Sequence, residues 1–388
     1  MKAVEIKNGI YWVGGIDWGL RNFHGYHTPR GSTYNAYLIV DEKIVLVDTV
    51  KSYLCDEMIS RIRSVVDPSK IDYIVSNHVE MDHSGALPVI TSIAGKAVVL
   101  TSPNGEKGLR KHYGDALNLK VVETGDQVNI GGKTLRFVLT TMVHWPDSMA
   151  TYIPEERLLL PNDAFGQHIA SSERFDDELE AGVVMEEAAK YYANIVLPYG
   201  RQVNKALDAV SSLDIDMVAP SHGVIWRSHI EEISAKYRKW ANNEVEDRAL
   251  IVYDTMWGST EKIAGALYES FEDRGIPVSL ADLRITHISD IMTMALESKY
   301  IFVGSPTLNN NMMPTVAAFL TYLKGLAPAN RTARAFGSYG WGGQSVDHIE
   351  TILKDCGFDM MEKIKIQYIP DERYLMSIKE HAKEEVGT

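Results

Sequence analysis

The chain has 388 residues, which at roughly 150 residues per domain implies two or three domains and excludes a single small binding module. Charged residues make up 23% and hydrophobic types 45%, enough apolar material for sizeable cores and no compositional mark of disorder. Lys and Arg number 39 against 52 Asp and Glu, and the resulting net charge of −13 excludes nucleic acid as an expected partner, because it would repel a phosphate backbone.

Residues 1–9 hold no apolar run of the kind a signal peptide needs, and no stretch approaches the roughly 18 apolar residues of a membrane span. A soluble, unprocessed protein with no membrane partner is therefore expected. Cys55 and Cys356 lie far apart without a CxxC spacing, so neither a disulfide framework nor a zinc ribbon is available, and a cytoplasmic location is expected.

Short β-rich runs occupy residues 10–13, 34–40, 43–47, 71–76, 97–101 and 135–140, separated by turn clusters, with a helical pattern over 55–65. Strands outnumber helices, which predicts a strand-rich sandwich with helices packed outside. A helical stretch at 229–240 is followed by the polar segment 242–248, where the texture changes, and the domains are placed at 1–246 and 247–388. Beyond that point strand, loop and helix repeat: 249–253 with 260–274, 278–281 with 289–296, 300–303 with 313–323, 333–336 with 344–354, and a last strand at 363–367. Such a repeat predicts an α/β domain whose parallel sheet binds its ligand at the carboxyl ends of the strands. The Lys- and Glu-rich last turns read as a solvated helix.

After the strand at 71–76 come His78, Glu80, Asp82 and His83, four ligand-type side chains within six residues of loop. An ordinary turn has no need for His-x-Glu-x-Asp-His. Adjacent Asp82 and His83 cannot easily serve one ion together with His78 and Glu80, so the spacing argues for two metals sharing a loop. His144, Asp163 and His222 stand near other candidate strand ends. Taken singly, such histidines are usually structural and such an aspartate is usually a cap, but together they complete a coordination set.

This run, with His144, Asp163 and His222 at these separations, resembles the flavodiiron proteins, and the likeness covers essentially the whole chain. It extends through residues 144–148 and 162–168. The resemblance implies an N-terminal metallo-β-lactamase-like αβ/βα sandwich followed by a flavodoxin-like doubly wound parallel sheet. It also implies a non-haem centre of two iron ions, with His78, Glu80 and His144 on one, Asp82, His83 and His222 on the other, and Asp163 bridging. His24 resembles a family residue beside the gas pocket, and a hydroxyl from Tyr191 or Tyr192, of which Tyr192 is taken as the candidate, would point the same way. His168 is expected to orient Asp163 or its neighbours. Zinc hydrolases of the same superfamily carry a histidine where this chain has Glu80, and the added carboxylate suits ferrous iron that must bind a diatomic gas.

In the second domain the loop Thr255, Met256, Trp257, Gly258, Ser259, Thr260 joins a buried strand to a helix and offers N–H groups, hydroxyls and a helix N-terminus to a phosphate. The GxxxxGK[ST] spacing of a nucleotide hydrolase is absent, so the expected ligand is FMN, a monoester that stays bound. The next two strand ends supply Ser305, Pro306, Thr307, Leu308, Asn309, Asn310 and then Ser338, Tyr339, Gly340, Trp341, Gly342, Gly343. Small residues there let the backbone approach a flat ring, and Trp257 or Trp341 would cover a face. These loops resemble the flavodoxin-like half of the same family.

Reducing dioxygen to two waters takes four electrons, two from a diferrous pair and two from a reduced flavin, which explains why one chain carries both sites. Coupling two nitric oxide molecules to nitrous oxide takes two. The sequence therefore reads as a reductase of dioxygen, nitric oxide or both in an oxygen-sensitive cell. Its rivals are a dizinc hydrolase with an appended flavodoxin domain and an electron-carrier flavoprotein with an inert first domain. Two cysteines cannot form the four-cysteine iron site of a fused rubredoxin, and no Gly-x-Gly-x-x-Gly fingerprint follows a predicted strand. Electrons are thus expected from an external donor, a separate rubredoxin or a reduced deazaflavin coenzyme. The family resemblance further implies a head-to-tail homodimer or a dimer of such dimers.

Overall fold

Neighbouring residues on a strand point to opposite faces, and in the first half of the chain both faces are apolar. Leu38, Leu46, Ile74 and Val99 pack on one side of a sheet against the helices Cys55–Arg63 and Leu87–Ile93, through Met58, Ile62 and Ile90. Their neighbours Ile39, Val45, Val75 and Leu100 face the other way and meet Leu135, Phe137, Ile153 and Leu158 of a second sheet. Burial on both faces explains why these strands read as continuous apolar runs rather than as alternations.

The computed structural model describes residues 1–386 and resolves two compact units, one of residues 1–192 and 199–241, the other of 193–198 and those from 242 onward. In the first unit, seven strands lie in the order Val4–Lys7, Ile10–Trp12, Tyr37–Val40, Ile44–Val47, Tyr73–Ser76, Val98–Thr101, Leu119–Val121. The second sheet runs Gln127–Asn129, Thr134–Leu139, Met149–Ile153, Leu158–Leu160, Met217–Val218. This is the expected two-sheet sandwich. Several of its elements lie outside the sequence expectation, among them Met149–Ile153, which is buried at every position and so shows no alternation, and the helices Ala181–Tyr191 and Gly200–Val210.

The second unit is a parallel sheet in the order Val278–Asp282, Glu246–Tyr253, Ser298–Gly304, Thr332–Tyr339, Asp359–Met360, with Ile364–Gln367 also paired to Thr332–Tyr339. Ile251, Phe302 and Phe336 pack against Ile263, Leu267 and Phe271 of the helix Ser259–Glu272 and Ile378 of the helix Glu372–Glu385. The order reverses on either side of Glu246–Tyr253, and a sheet of this topology leaves a crevice beyond the strand ends at that point. Among the described residues no helix is long and apolar enough to cross a membrane.

At the mouth of that crevice two strand ends come together closely. A Cβ on Gly337 would stand 2.0 Å from the Ser305 carbonyl oxygen, so the position admits no side chain without backbone movement. Gly337→Ala is therefore expected to destabilise the second unit by about 1–3 kcal/mol, as overpacking does. Denaturant unfolding of the purified variant checks this, and an unchanged midpoint would mean that the two strand ends are free to separate.

Candidate metal centre and flavin cleft

The seven candidate ligands leave the sequence at four separate places and meet at one edge of the sandwich. His78 and Glu80 follow the strand Tyr73–Ser76, and Asp82 and His83 lie on the short helix Met81–Ser84 after it. His144 lies between the strands Thr134–Leu139 and Met149–Ile153, Asp163 follows Leu158–Leu160, and His222 follows Met217–Val218.

Two groups of donors result: His78, Glu80, His144 and Asp163, and Asp82, His83 and His222. In the first, Glu80 Oε2 lies 3.3 Å from His78 Nε2 and 3.5 Å from His144 Nε2, while Asp163 Oδ2 lies 3.6 and 3.4 Å from the same two nitrogens. In the second, Asp163 Oδ1 is 2.9 Å from His83 Nε2 and 3.3 Å from His222 Nε2. Asp82 completes that group, 3.4 Å from His83 Nε2 and 3.3 Å from His222 Nε2. Asp163 thus turns one oxygen to each group. Two donors about 2.1 Å from one ion and 90–110° apart are about 3.0–3.4 Å from each other, so these spacings fit ligands around a shared cation.

The hydrogen-bond inventory points the same way. Both oxygens of Asp82, both oxygens of Asp163 and both ring nitrogens of His83 are buried without a hydrogen-bond partner. The four carboxylate oxygens and His83 Nε2 face common points between the donor groups. Buried charges left so would cost several kcal/mol each, whereas two divalent cations against three carboxylates satisfy them.

The field within the cluster is strong. Burial alone would raise the Asp163 carboxyl, yet His83, His144 and His222 hold it well below the usual carboxylate range. Burial would likewise lower His222, but Asp163 and Asp82 push it up to about 10. His78 is raised well above its ordinary value against burial, first by Asp147 and then by Glu80. A cation entering this cluster must displace such protons, which couples metal affinity to pH.

Residues around the ligands fix their orientation. Asp147 Oδ2 accepts from His78 Nδ1 at 2.9 Å and from the Val79 N–H at 2.8 Å, and His222 Nδ1 donates to the Thr33 carbonyl at 2.8 Å. With Nδ1 engaged, both rings present Nε2 inward. Asp48 is wholly buried, accepts from the Asn77 N–H and side chain and from the Asn162 side chain, and so ties the residues preceding His78 and Asp163. Its φ of +57° is a left-handed conformation that aspartate tolerates better than most residues. Sequence reasoning gave neither Asp48 nor Asp147 a role. Asp147, three residues beyond His144, left a signal; Asp48 left none.

His24 Nε2 lies 3.3 Å from Glu80 Oε1 with its side chain 73% exposed, at the outer side of the first group. Tyr192 departs from the expectation. Its ring packs against Tyr237 and Trp240, at 5.0 and 5.2 Å between centroids, whereas Tyr191 lies against His222 at 5.8 Å. Consecutive helical residues diverge by about 100°, so only one of the pair can face the centre. His168 makes no bond to Asp163 itself but packs on its neighbour His222 at 4.9 Å and bonds Ser32 Oγ through Nδ1, and burial followed by the charge of His222 keeps it neutral.

In the second unit a cleft of about 620 Å³ opens at the strand ends where the order reverses. Twelve of the expected residues line it: Thr255, Met256, Trp257, Ser259, Pro306, Thr307, Asn309, Asn310, Ser338, Tyr339, Gly340 and Trp341. Gly258, Thr260, Ser305, Leu308, Gly342 and Gly343 do not. Ser305 is buried beneath, accepting from the Met313 N–H, and Thr260 stands 3.4 Å from the Ser338 hydroxyl. Tyr368 and Ile369, just past the last strand, line the cleft as well, and a Tyr368 N–H to Tyr339 carbonyl bond of 2.7 Å holds them there.

Gly258, at φ +80°, turns the chain into the helix Ser259–Glu272, whose first N–H groups carry no side-chain cap and face an anion site favourably. Trp257 and Trp341 are 92% and 81% exposed, a large apolar area to leave in water unless a flat ring covers it. A phosphate seat beside aromatic walls, in a cleft of this volume, fits FMN.

Comparisons with known proteins agree with this geometry. Residues 33–223 match the family model described as ODP family beta lactamase, and residues 251–381 match that described as Flavodoxin. A protein of Moorella thermoacetica named nitric oxide reductase is 46% identical over 376 residues, covering 95% of this chain and 94% of the relative. The solved rubredoxin oxygen:oxidoreductase of the anaerobe Desulfovibrio gigas superposes with a TM-score of 0.96 at 41% identity, covering 98% of this chain and 97% of the other. The flavodiiron protein of Giardia intestinalis gives 0.97 at 34% identity, covering 99% and 96%.

Two variants separate the sites. Asp163→Asn removes the charge facing both donor groups and is expected to lower metal affinity by more than about 100-fold, beyond the effect of losing a ligand's supporting partner, and by more than any single His→Asn change. FMN content should be unchanged. Metal analysis after dialysis checks it, and retention of two irons per chain would remove Asp163 from its bridging place. Conversely, Ser259→Ala, which removes a hydroxyl that lines the cleft, should weaken FMN binding and spare the irons, since a charge-assisted hydrogen bond contributes about 1.5–3 kcal/mol. Unchanged flavin absorbance after dialysis would exclude this loop.

Proposed function

The chain belongs to the flavodiiron protein family, and on that premise we propose that it reduces dioxygen to water, nitric oxide to nitrous oxide, or both, at a non-haem diiron centre fed through FMN. The observation that carries the reading is Asp163, whose two oxygens face two donor groups in a chain that also holds a flavin cleft. Two irons held there would supply open positions and electrons for a diatomic gas, with further electrons from the flavin.

The protein's own part is to hold, orient and exclude. His78, Glu80 and His144 form one side and Asp82, His83 and His222 the other, with Asp147 and the Thr33 carbonyl setting the ring orientations. The Trp145 ring stands edge-on to His78 at 5.1 Å and shields it from water. Balance requires protons: dioxygen with four electrons and four protons gives two waters, and two nitric oxides with two electrons and two protons give nitrous oxide and water. In this reading His24, exposed and 3.3 Å from Glu80 through Nε2, passes them.

A dizinc hydrolase would have no use for the cleft lined by Trp257 and Trp341, and the relatives that match across both halves are named as reductase and oxidoreductase. An inert scaffold would not bury Asp82 and Asp163 without hydrogen-bond partners. The electron donor in this reading is a separate rubredoxin or a reduced deazaflavin coenzyme, and the working unit is a head-to-tail homodimer, or a dimer of such dimers, in which one subunit's flavin serves its partner's irons. Two free cysteines accord with a cytoplasmic setting.

Anaerobic stopped-flow of the fully reduced protein against dioxygen and against nitric oxide tests the reading. Rapid reoxidation by at least one gas is expected, and slow reoxidation by both would overturn it. In steady state the protein should consume gas slowly with NADH alone and fast once rubredoxin or the deazaflavin is added. Rapid, saturable NADH oxidation without a carrier would instead mean a nicotinamide site on this chain.

A further inference from the structure

Behind the loops that carry His144 and Asp163, the first unit contains two adjoining, mainly apolar cavities that the ligand set does not use. The outer one, about 400 Å³, is a groove between the helices Gly200–Val210 and Ile230–Ala241, walled mainly by Leu207, Val210, Leu213, Ile215 and Ile230, with Ser211, Ser234 and Arg238 also lining it. The inner one, about 30 Å³, is walled by Val143, Ala164, Val203, Ala206 and Tyr237. Leu159, Phe165, Leu207 and Val210 belong to both, so the two share a wall. Val143 and Ala164 are bonded directly to His144 and Asp163.

We propose that these cavities form a binding site and entry path for the diatomic substrate gas, an inference that rests on the gas-reductase reading above. Thr140 and Tyr237 are the polar residues of the inner wall. The Tyr237 oxygen is occupied by the Phe165 N–H at 2.7 Å, and the Thr140 hydroxyl has no hydrogen-bond partner. A buried water needs about 10–15 Å³ of such space and two to four polar partners, and here the space exceeds that while the partners are missing. The chamber is therefore large enough for a diatomic and too apolar to hold water well. Dioxygen and nitric oxide are small and weakly polar, and they partition into such space without a desolvation cost. The groove is also braced: Arg238 donates across the two helices to Asn204 Oδ1 at 2.9 Å and Asp208 Oδ1 at 2.7 Å.

Crystals of the metal- and flavin-loaded protein pressurised with xenon test the site without recourse to activity. Xenon is expected in the inner chamber, and Ala206→Phe, which fills it from the helix Gly200–Val210, should abolish that occupancy. The same variant should lower kcat/KM for the gas by about threefold or more while kcat at saturating gas and the iron and flavin contents stay unchanged. Leu207→Ala, which widens the shared wall, should keep xenon and not lower kcat/KM, and it serves if the larger side chain disrupts folding. Absence of xenon from a wild-type protein that consumes gas normally would overturn this proposal alone. So would an Ala206→Phe variant that excludes xenon with kcat/KM unchanged. Xenon in the chamber of a fully loaded wild-type protein that consumes neither gas would overturn the reading of the substrate on which the proposal stands.

Discussion

Everything at the sandwich edge depends on one buried carboxylate that has to be shared. Asp163 lies among His78, His83, His144 and His222, and a carboxylate set between the two donor groups turns one oxygen to each. A negative charge in that position would be untenable in a dry interior, and the surrounding imidazoles hold it well below the usual carboxylate range despite burial. The same attraction would organise a pair of cations, because a shared anion offsets the repulsion between them.

That arrangement is only as good as the register of two sheets. His78 hangs from one sheet, His144, Asp163 and His222 from the other, and Asp48 ties Asn77 to Asn162 across them. Burial raises the Asp48 carboxyl, while the amides of Asn77 and Asn162 oppose that rise. Asp147 and the Thr33 carbonyl then settle which nitrogen of each ring faces inward. The sandwich core therefore acts on function through position: a slip of one residue would swap Val45 with Leu46 and turn both cores inside out.

The flavin cleft solves a different problem with different means. Parallel strands leave N–H groups and small residues at their carboxyl ends, and reversal of strand order opens a crevice there. Gly337 lets two strand ends approach, Gly258 starts a helix pointing its N-terminus at the crevice, and two exposed tryptophans wall it. A tight phosphate seat with open aromatic walls suits a cofactor that must stay bound while its ring remains accessible to a donor.

What the sequence by itself determined is what short-range spacing can encode. His78, Glu80, Asp82 and His83 lie within six residues, and no turn requires them; three successive strand-end loops rich in Gly, Ser and Thr likewise announce a phosphate and a flat ring. Apolar runs alternating with helical patterns gave the two architectures. Tertiary structure decided whatever depends on which residues meet after distant segments pack. Met149–Ile153, buried throughout, showed no strand period, and the choice between Tyr191 and Tyr192 turned on a helix rotation of about 100° that no local pattern records. Tyr368 and Ile369 reach the cleft only because the last strand pairs with Thr332–Tyr339. Asp48 became a tie, and the apolar chamber a space, only when two sheets and two helices closed around them, because contacts across more than a hundred residues follow from packing and leave no trace in spacing.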